Sequence, residues 1–195
     1  MTGALTAVTL VEVVQEFRRG DLHDLCDATD AAIIDGGGFG WVDPPPRDVM
    51  ERYWRGVLAV PERTLVVGRL DGVIAGSAQL VRPTRNNEAQ SFACSLTTSF
   101  VAPWARGHGL ARRLTLAVEE IAVREGYKVL NLDVRDSQTA AIALYERLGY
   151  RRWGLHPRYA TAHGRVFSGY FYYKGLDERP VQGRPDMAGK ETESR

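Results

Sequence analysis

The segment from Phe100 to Ala111 constrains this chain more than any other. A run of β-forming residues, Gln90–Val101, ends at Phe100 and Val101, and Pro103 stops further strand pairing. Arg106, Gly107, His108 and Gly109 follow, and an amphipathic helix begins at once over Gly109–Glu125, with Leu110, Leu114, Ala117 and Ile121 on one face. The amides that open a helix have no intrahelical partner and lie at the positive end of its dipole. Gly107 and Gly109 carry no side chain where a backbone must approach a ligand. A pyrophosphate suits such a place, and Arg106 can add charge-assisted hydrogen bonds.

Two familiar phosphate loops are excluded. A dinucleotide fold requires a third glycine where residue 112 is Arg, and a P-loop requires a Gly-Lys-Ser/Thr that is absent. A purely structural turn would account for the glycines but not for their coupling to Arg106 and a preceding strand.

The remaining pattern mixes both kinds of element. Val8–Val14 reads as a strand, Gln15–Ile34 as a helix stopped by Asp35 and the glycine run Gly36 to Gly38, and Arg47–Val60 as a second helix behind a proline-rich approach, Trp41–Pro46, of a kind that lies over substrates. Thr64–Leu70 and Val73–Leu80 form a hairpin around Asp71-Gly72. Lys128–Arg135 alternates as a strand, Ser137–Leu148 reads as a helix, and Tyr150–Gly154 and Phe167–Leu176 close the order. This is an α/β arrangement around one central sheet. Residues 1–176 are expected to form one domain, with the charged, Pro- and Gly-rich stretch 177–195 a disordered tail.

Composition excludes several classes. A formal net charge of +1 argues against a nucleic-acid partner. No stretch approaches about 18 apolar residues, so no membrane span is expected, and no secretory signal opens the chain. Cys26 and Cys94 have no CxxC spacing and no paired histidines, so no metal is expected; they read as buried free thiols of a cytoplasmic protein.

The run Arg106-Gly107-His108-Gly109-Leu110-Ala111 resembles the Arg/Gln-x-x-Gly-x-Gly/Ala motif of the GCN5-related N-acetyltransferases, and Leu130–Tyr150 resembles the next segment of that family. The resemblance implies a mixed sheet of about seven strands, split between the fourth and fifth and flanked by about four helices. It also implies acetyl-CoA as cosubstrate, held by Phe100, Val101, Arg106, Gly107, His108, Gly109, Leu110, Ala111 and Gln138, and acetyl transfer to an amine. His108 contributes only backbone in this reading. At Gln138 the family commonly has Asn, one methylene shorter. Arg112 and Arg113 either meet the adenosine 3′-phosphate or form a solvated helix face. Family members are often dimers.

The chemistry requires a neutral amine, a stabilised oxyanion and a proton for the leaving thiolate. Tyr145 resembles the family's tyrosine that points at the cofactor sulfur, and a phenol stays protonated at neutral pH. Asp133 sits near the C-terminal end of a strand, where sites on open α/β sheets gather, and on the face opposite Leu130, Leu132 and Val134. It resembles the Glu that serves as base in some members, although a structural carboxylate capping the helix or pairing with Arg135 is an equal reading. Glu88 is the alternative base.

An alkylamine of pKa about 10.4 is only about 0.04% neutral at pH 7, so it needs active deprotonation, whereas an α-amine near 8 hardly does. The region Gly154–Ala160 and Gly169–Lys174 is similar to antibiotic- and toxin-inactivating members, which would set a loop Leu155–Gly164, with His156, Arg158 and Tyr159, at the edge of a small-molecule acceptor pocket. A plain aromatic core strand is the other reading of Tyr170–Tyr173. The acceptor is thus a small amine, with a protein N-terminus or lysine, or a non-catalytic cofactor-binding role, as alternatives.

Overall fold

A computed structural model describes residues 7–36 and 40–177. The weakly patterned start, part of the glycine run and the stretch from residue 178 onward lie outside the described residues. The elements are β1 (Thr9–Val14), α1 (Asp21–Ile34), α2 (Arg47–Ala59), β2 (Arg63–Leu70), β3 (Val73–Val81), β4 (Ala93–Val101), α3 (Leu110–Arg124), β5 (Val129–Arg135), α4 (Thr139–Arg147), β6 (Arg151–Ala162) and β7 (Arg165–Gly175). Short 3₁₀ turns at Glu88–Gln90 and Pro103–Ala105 flank β4.

The strands form one seven-stranded sheet in the order β1-β2-β3-β4-β5-β7-β6. Every pairing is antiparallel except β4 with β5, which is parallel. Adjacent residues of β2 serve opposite faces, as strand geometry requires. Leu65 and Val67 pack with Leu25, Met50 and Trp54 from α1 and α2. Val66 packs on the other side with Leu114, Val118 and Ile121 from α3. Burial of each such side chain contributes about 1.5–3 kcal/mol.

The expected seven strands, four helices and split after the fourth strand are all present. Three boundaries differ by three residues or more, the others by one or two. The first helix begins at Asp21 rather than Gln15, because Gly20 adopts a left-handed φ of 95° and turns the chain before it. The fourth strand begins at Ala93, since Glu88–Gln90 coils into a 3₁₀ turn. The sixth strand does not end at Gly154. It continues through Ala162, so the expected loop Leu155–Gly164 is mostly strand, interrupted by irregularities between Arg152 and Gly154 and between His156 and Ala160.

The split has a backbone origin. β4 and β5 share only three register positions, Ala93 with Val129, Cys94 with Leu130 and Ser95 with Asn131. Beyond them Thr98 takes a left-handed φ of 47°, rare for a β-branched residue, and the β3–β4 register shifts between Ser77 and Gln79. The rest of β4 therefore diverges from β5.

Candidate active site

The divergence opens a cavity of about 520 Å³ between Thr97, Thr98 and Ser99 on β4 and Leu132, Asp133 and Val134 on β5. Backbone groups of β4 that a fifth strand would have paired face this space. A second cavity, about 420 Å³, lies between the segment Arg106–Arg112 and α4, where Ala140, Leu144 and Arg147 form its far wall. A third, about 460 Å³, joins them. It shares Arg106, Ala111 and Leu144 with the second and Ser99, Gln138 and Tyr145 with the first. The three form one trough along β4, from the start of α3 to the gap at β5.

At the start of α3, Gly107 and Gly109 have φ of 84° and 75°, and Gly109 caps the helix with no side chain bonded to its first amides. A Cβ on either glycine would meet no atom within 4 Å. The left-handed backbone is what demands glycine here, and the space above it is open. His108 turns its ring back to the carbonyl of Ala105, at 3.2 Å, and so closes the loop. Arg106 is half exposed and donates to Asp35, 2.6 Å away at the end of α1. Leu110 is buried under the helix start, Phe100 packs with the α1–α2 core, and Val101 lines the trough.

Arg112 borders the second cavity, but Arg113 is tied elsewhere: its guanidinium donates to the carbonyl and hydroxyl of Thr9 on β1. Gln138 stands at the α4 N-cap position yet makes no capping bond; its amide donates 2.7 Å across the trough to the carbonyl of Gly36.

Tyr145 is buried on α4 with its hydroxyl toward Ser99, and its ring stands edge-on to Tyr150 at 5.6 Å. Burial pushes its phenol above the ordinary range, against the opposing hydrogen bond with Ser99, while the nearby Asp133 adds to the rise. The group is therefore a proton carrier at every physiological pH. Asp133 is exposed on the cavity side of β5 and accepts a hydrogen bond from Tyr159.

Glu88 lies at the opposite end of β4 from Ser99 and lines none of the three cavities. Of the three residues expected at the acceptor edge, only Tyr159 lines the first cavity; His156 instead accepts from the Arg158 amide at 3.1 Å. Tyr172 is a core residue, fully buried, with its hydroxyl on Glu146 and its phenol pushed up to about 12 by burial.

Sequence reasoning did not single out Tyr53, Ser99 or Thr98. Tyr53 stacks edge-on to Trp41 at 4.9 Å, and both line the first cavity. Behind them Arg63 donates to the buried Gln79 at 2.7 Å, Gln79 to the Tyr53 hydroxyl at 3.3 Å, and that hydroxyl meets Thr98 at 3.4 Å. Gln79, fully buried in a central strand, was the available signal, since a buried amide needs partners. Among the described residues no three His, Cys, Asp or Glu side chains are grouped to hold a metal, and no helix is long and apolar enough to cross a membrane.

Residues 27–150 match the acetyltransferase (GNAT) family. An uncharacterised N-acetyltransferase from the hisH-hisA intergenic region of Azospirillum brasilense is 71% identical over 134 residues, which span 69% of this chain and 79% of that protein. N-alpha-acetyltransferase RimI of Mycobacterium tuberculosis is 33% identical over 138 residues, 71% of this chain and 81% of the other. A GNAT superfamily phosphinothricin acetyltransferase of Sinorhizobium meliloti, solved in complex with acetyl-CoA, shares the fold with a TM-score of 0.71 at 20% identity, over 94% of this chain and 95% of that one.

Proposed function

Because this chain belongs to the acetyltransferase (GNAT) family, we propose that it transfers acetyl from acetyl-CoA to a primary amine of a small molecule, by direct attack in a ternary complex. The observation that carries this reading is the run of three adjoining cavities, with shared lining residues, from the start of α3 to the gap at β5. Its chemistry changes along its length as the cosubstrate's does. The left-handed loop, the open helix N-terminus and Arg106 fit a pyrophosphate. The unpaired stretch of β4 fits an amide-bearing arm, which would pair with it as an added strand. Gln138 borders the same stretch. Acetyl-CoA supplies an activated acetyl group on a thiol leaving group; the remaining work falls to the chain's own residues.

In this mechanism Tyr145 donates its phenolic proton to the departing thiolate. Burial keeps that proton in place until it is needed. Asp133 faces the acceptor side of the same cavity and accepts a proton from the attacking amine. The N–H bond breaks as the carboxyl O–H forms; the nitrogen lone pair makes the new C–N bond, the thioester C–S bond breaks, and its electron pair leaves with the sulfur that Tyr145 protonates. Trp41, Tyr53 and Tyr159 surround that side with aromatic surface, which supports a compact acceptor over a long acidic groove for protein substrates.

A second reading, acetylation of a protein N-terminus, is favoured by the 33% identity to RimI. One screen separates the two. Thiol release from acetyl-CoA is followed with small amines in one arm and short peptides with free N-termini in the other. Turnover confined to the peptides would overturn the small-amine reading; binding of acetyl-CoA without turnover in either arm would support the non-catalytic role instead. Failure of the wild-type protein to bind acetyl-CoA in calorimetry would overturn all three.

A further inference from the structure

Tyr159 reaches the cavity by an unusual route. It belongs to the edge strand β6, two strands away from Asp133 in the order β5-β7-β6. Across the β6–β7 ladder His156 pairs with Gly169 and Ala160 with Phe167. Pro157, Arg158 and Tyr159 are thus accommodated opposite Ser168 alone. Such a bulge bends its strand and re-aims a side chain. Here the Tyr159 ring folds back over β7 and lies on Gly169, where an added Cβ would collide with three of its ring carbons. The ring meets Phe171 edge-on at 5.9 Å, and Phe171 is the register partner of Asp133. The hydroxyl then donates to Oδ2 of Asp133.

We propose that Tyr159 is a positioning residue, aimed by the β6 bulge across the gap that Gly169 leaves, which holds Oδ2 of Asp133 so that Oδ1 faces the acceptor amine. This rests on the reading of Asp133 as proton acceptor. An exposed carboxylate on a strand rotates among several orientations; a phenol fixed by its own strand and by two β7 residues selects one. The arrangement also leaves Oδ1 without a protein donor among the described contacts. The other titratable or charged groups around the same space are Tyr145 from α4, Tyr53 from α2 and Arg135 on β5 itself. Among the described contacts the Tyr145 hydroxyl bonds Ser99 and the Tyr53 hydroxyl meets Gln79 and Thr98, so neither phenol donates to Oδ2. Burial and the Asp133 carboxylate together raise the Tyr159 phenol above the ordinary range, so the donor persists throughout neutral pH.

The test compares wild type, Tyr159→Phe, Asp133→Asn and the double variant, with alaninamide and benzylamine as probe acceptors. Tyr159→Phe keeps the ring on Gly169 and removes only the hydroxyl. The expected result is a loss of about tenfold or more in kcat/KM for the amine, the effect of one hydrogen bond to a charged group, with KM for acetyl-CoA unchanged. In the Asp133→Asn background the same change costs nothing further. Full activity of Tyr159→Phe, or an equal loss in both backgrounds, overturns the proposal. No loss in Asp133→Asn alone overturns the proton-acceptor reading itself, which is a separate outcome.

Spectroscopic titration of the Tyr159 phenol, taken as wild type minus Tyr159→Phe, needs no acceptor. Its ionisation moves to lower pH in Asp133→Asn if the contact exists, and identical curves overturn the proposal. Gly169→Ala, which pushes the ring off β7, reproduces the kinetic loss of Tyr159→Phe.

Discussion

Arg106 and Asp35 face each other across the trough, with guanidinium nitrogen and carboxylate oxygen 2.6 Å apart. One belongs to the loop before α3 and the other to the end of α1, so a pyrophosphate seated on that loop competes with Asp35 for the same cation. Both side chains are about half exposed, and such a pair contributes about 0.2–1 kcal/mol. Asp35→Asn is therefore expected to tighten acetyl-CoA binding by about two- to fivefold in calorimetry. The gain should shrink as salt is added, since the pair is solvent-screened. Weaker binding in Asp35→Asn would show that the carboxylate organises the loop rather than competing for it.

Gly109 gives the opposite sign. Its φ of 75° and the open space above it make it the position where a side chain would project into the end of the trough proposed to take the pyrophosphate. Gly109→Ala is expected to cost about 1 kcal/mol of stability through its backbone alone. Gly109→Glu adds a like charge where a phosphate is expected and should abolish measurable acetyl-CoA binding. Retained affinity in the Glu variant, with a folded circular dichroism spectrum, would remove the loop from the binding site.

Tyr145→Phe removes the hydroxyl, with its bond to Ser99, and leaves the ring to pack against Tyr150. A general acid contributes typically 10²–10⁴-fold, so kcat should fall by about 10²-fold or more. The melting temperature should change little. Because the phenol is raised by burial, its protonated form persists as pH rises. The wild-type rate should accordingly show no alkaline decline below about pH 10 from this group. Full turnover of Tyr145→Phe at neutral pH would end the general-acid assignment.

A buried ion cluster governs stability instead of catalysis. Arg69 lies 2.7 Å from Glu12 and 2.9 Å from Asp21, and its side chain is only 7% exposed. The Arg69 hydrogen bond, against some burial, holds Glu12 below its ordinary range. At Asp21 burial works in the other direction, yet Arg69 and the Arg18 amide outweigh it. Carboxylates depressed in the folded state stabilise it above their unfolded pKa, near 4, and lose that contribution as pH falls through the lower folded values. Urea unfolding should thus give a stability that declines below about pH 4. Arg69→Met strands the buried Asp21 carboxylate and leaves Glu12 with the exposed Arg18 alone, and should cost about 3–5 kcal/mol at pH 7. Its stability should recover as the pH is lowered toward 5, a reversed slope that a simple packing defect would not give.

The legible parts of this chain were those encoded locally. Left-handed φ at Gly107, Gly109 and Gly72 follows from glycine itself, and α3 declares its buried face through Leu110, Leu114 and Ile121. The sixth strand was read short because its two irregularities break the period-2 pattern and Pro157 argues against pairing; only its place on the sheet edge makes that proline tolerable. Contacts between distant residues left no such mark. Arg106 with Asp35 and Gln138 with Gly36 depend on where α1 ends relative to β4, and the Tyr159 contact with Asp133 depends on the register of three strands and a bulge. Tyr53 was visible only as a helix residue, because its partners Gln79 and Thr98 come from two other strands.

The three shared positions between β4 and β5 have a mechanical meaning. The sheet is two stiff plates, β1 to β4 on one side and β5 to β7 on the other, joined by a short seam at one end. Compliance is concentrated at that seam. With only three shared positions to hold it, the gap between Thr98 and Leu132 is the place where the sheet yields at the least cost in strand pairing. The soft direction of this molecule is the opening of its own cleft.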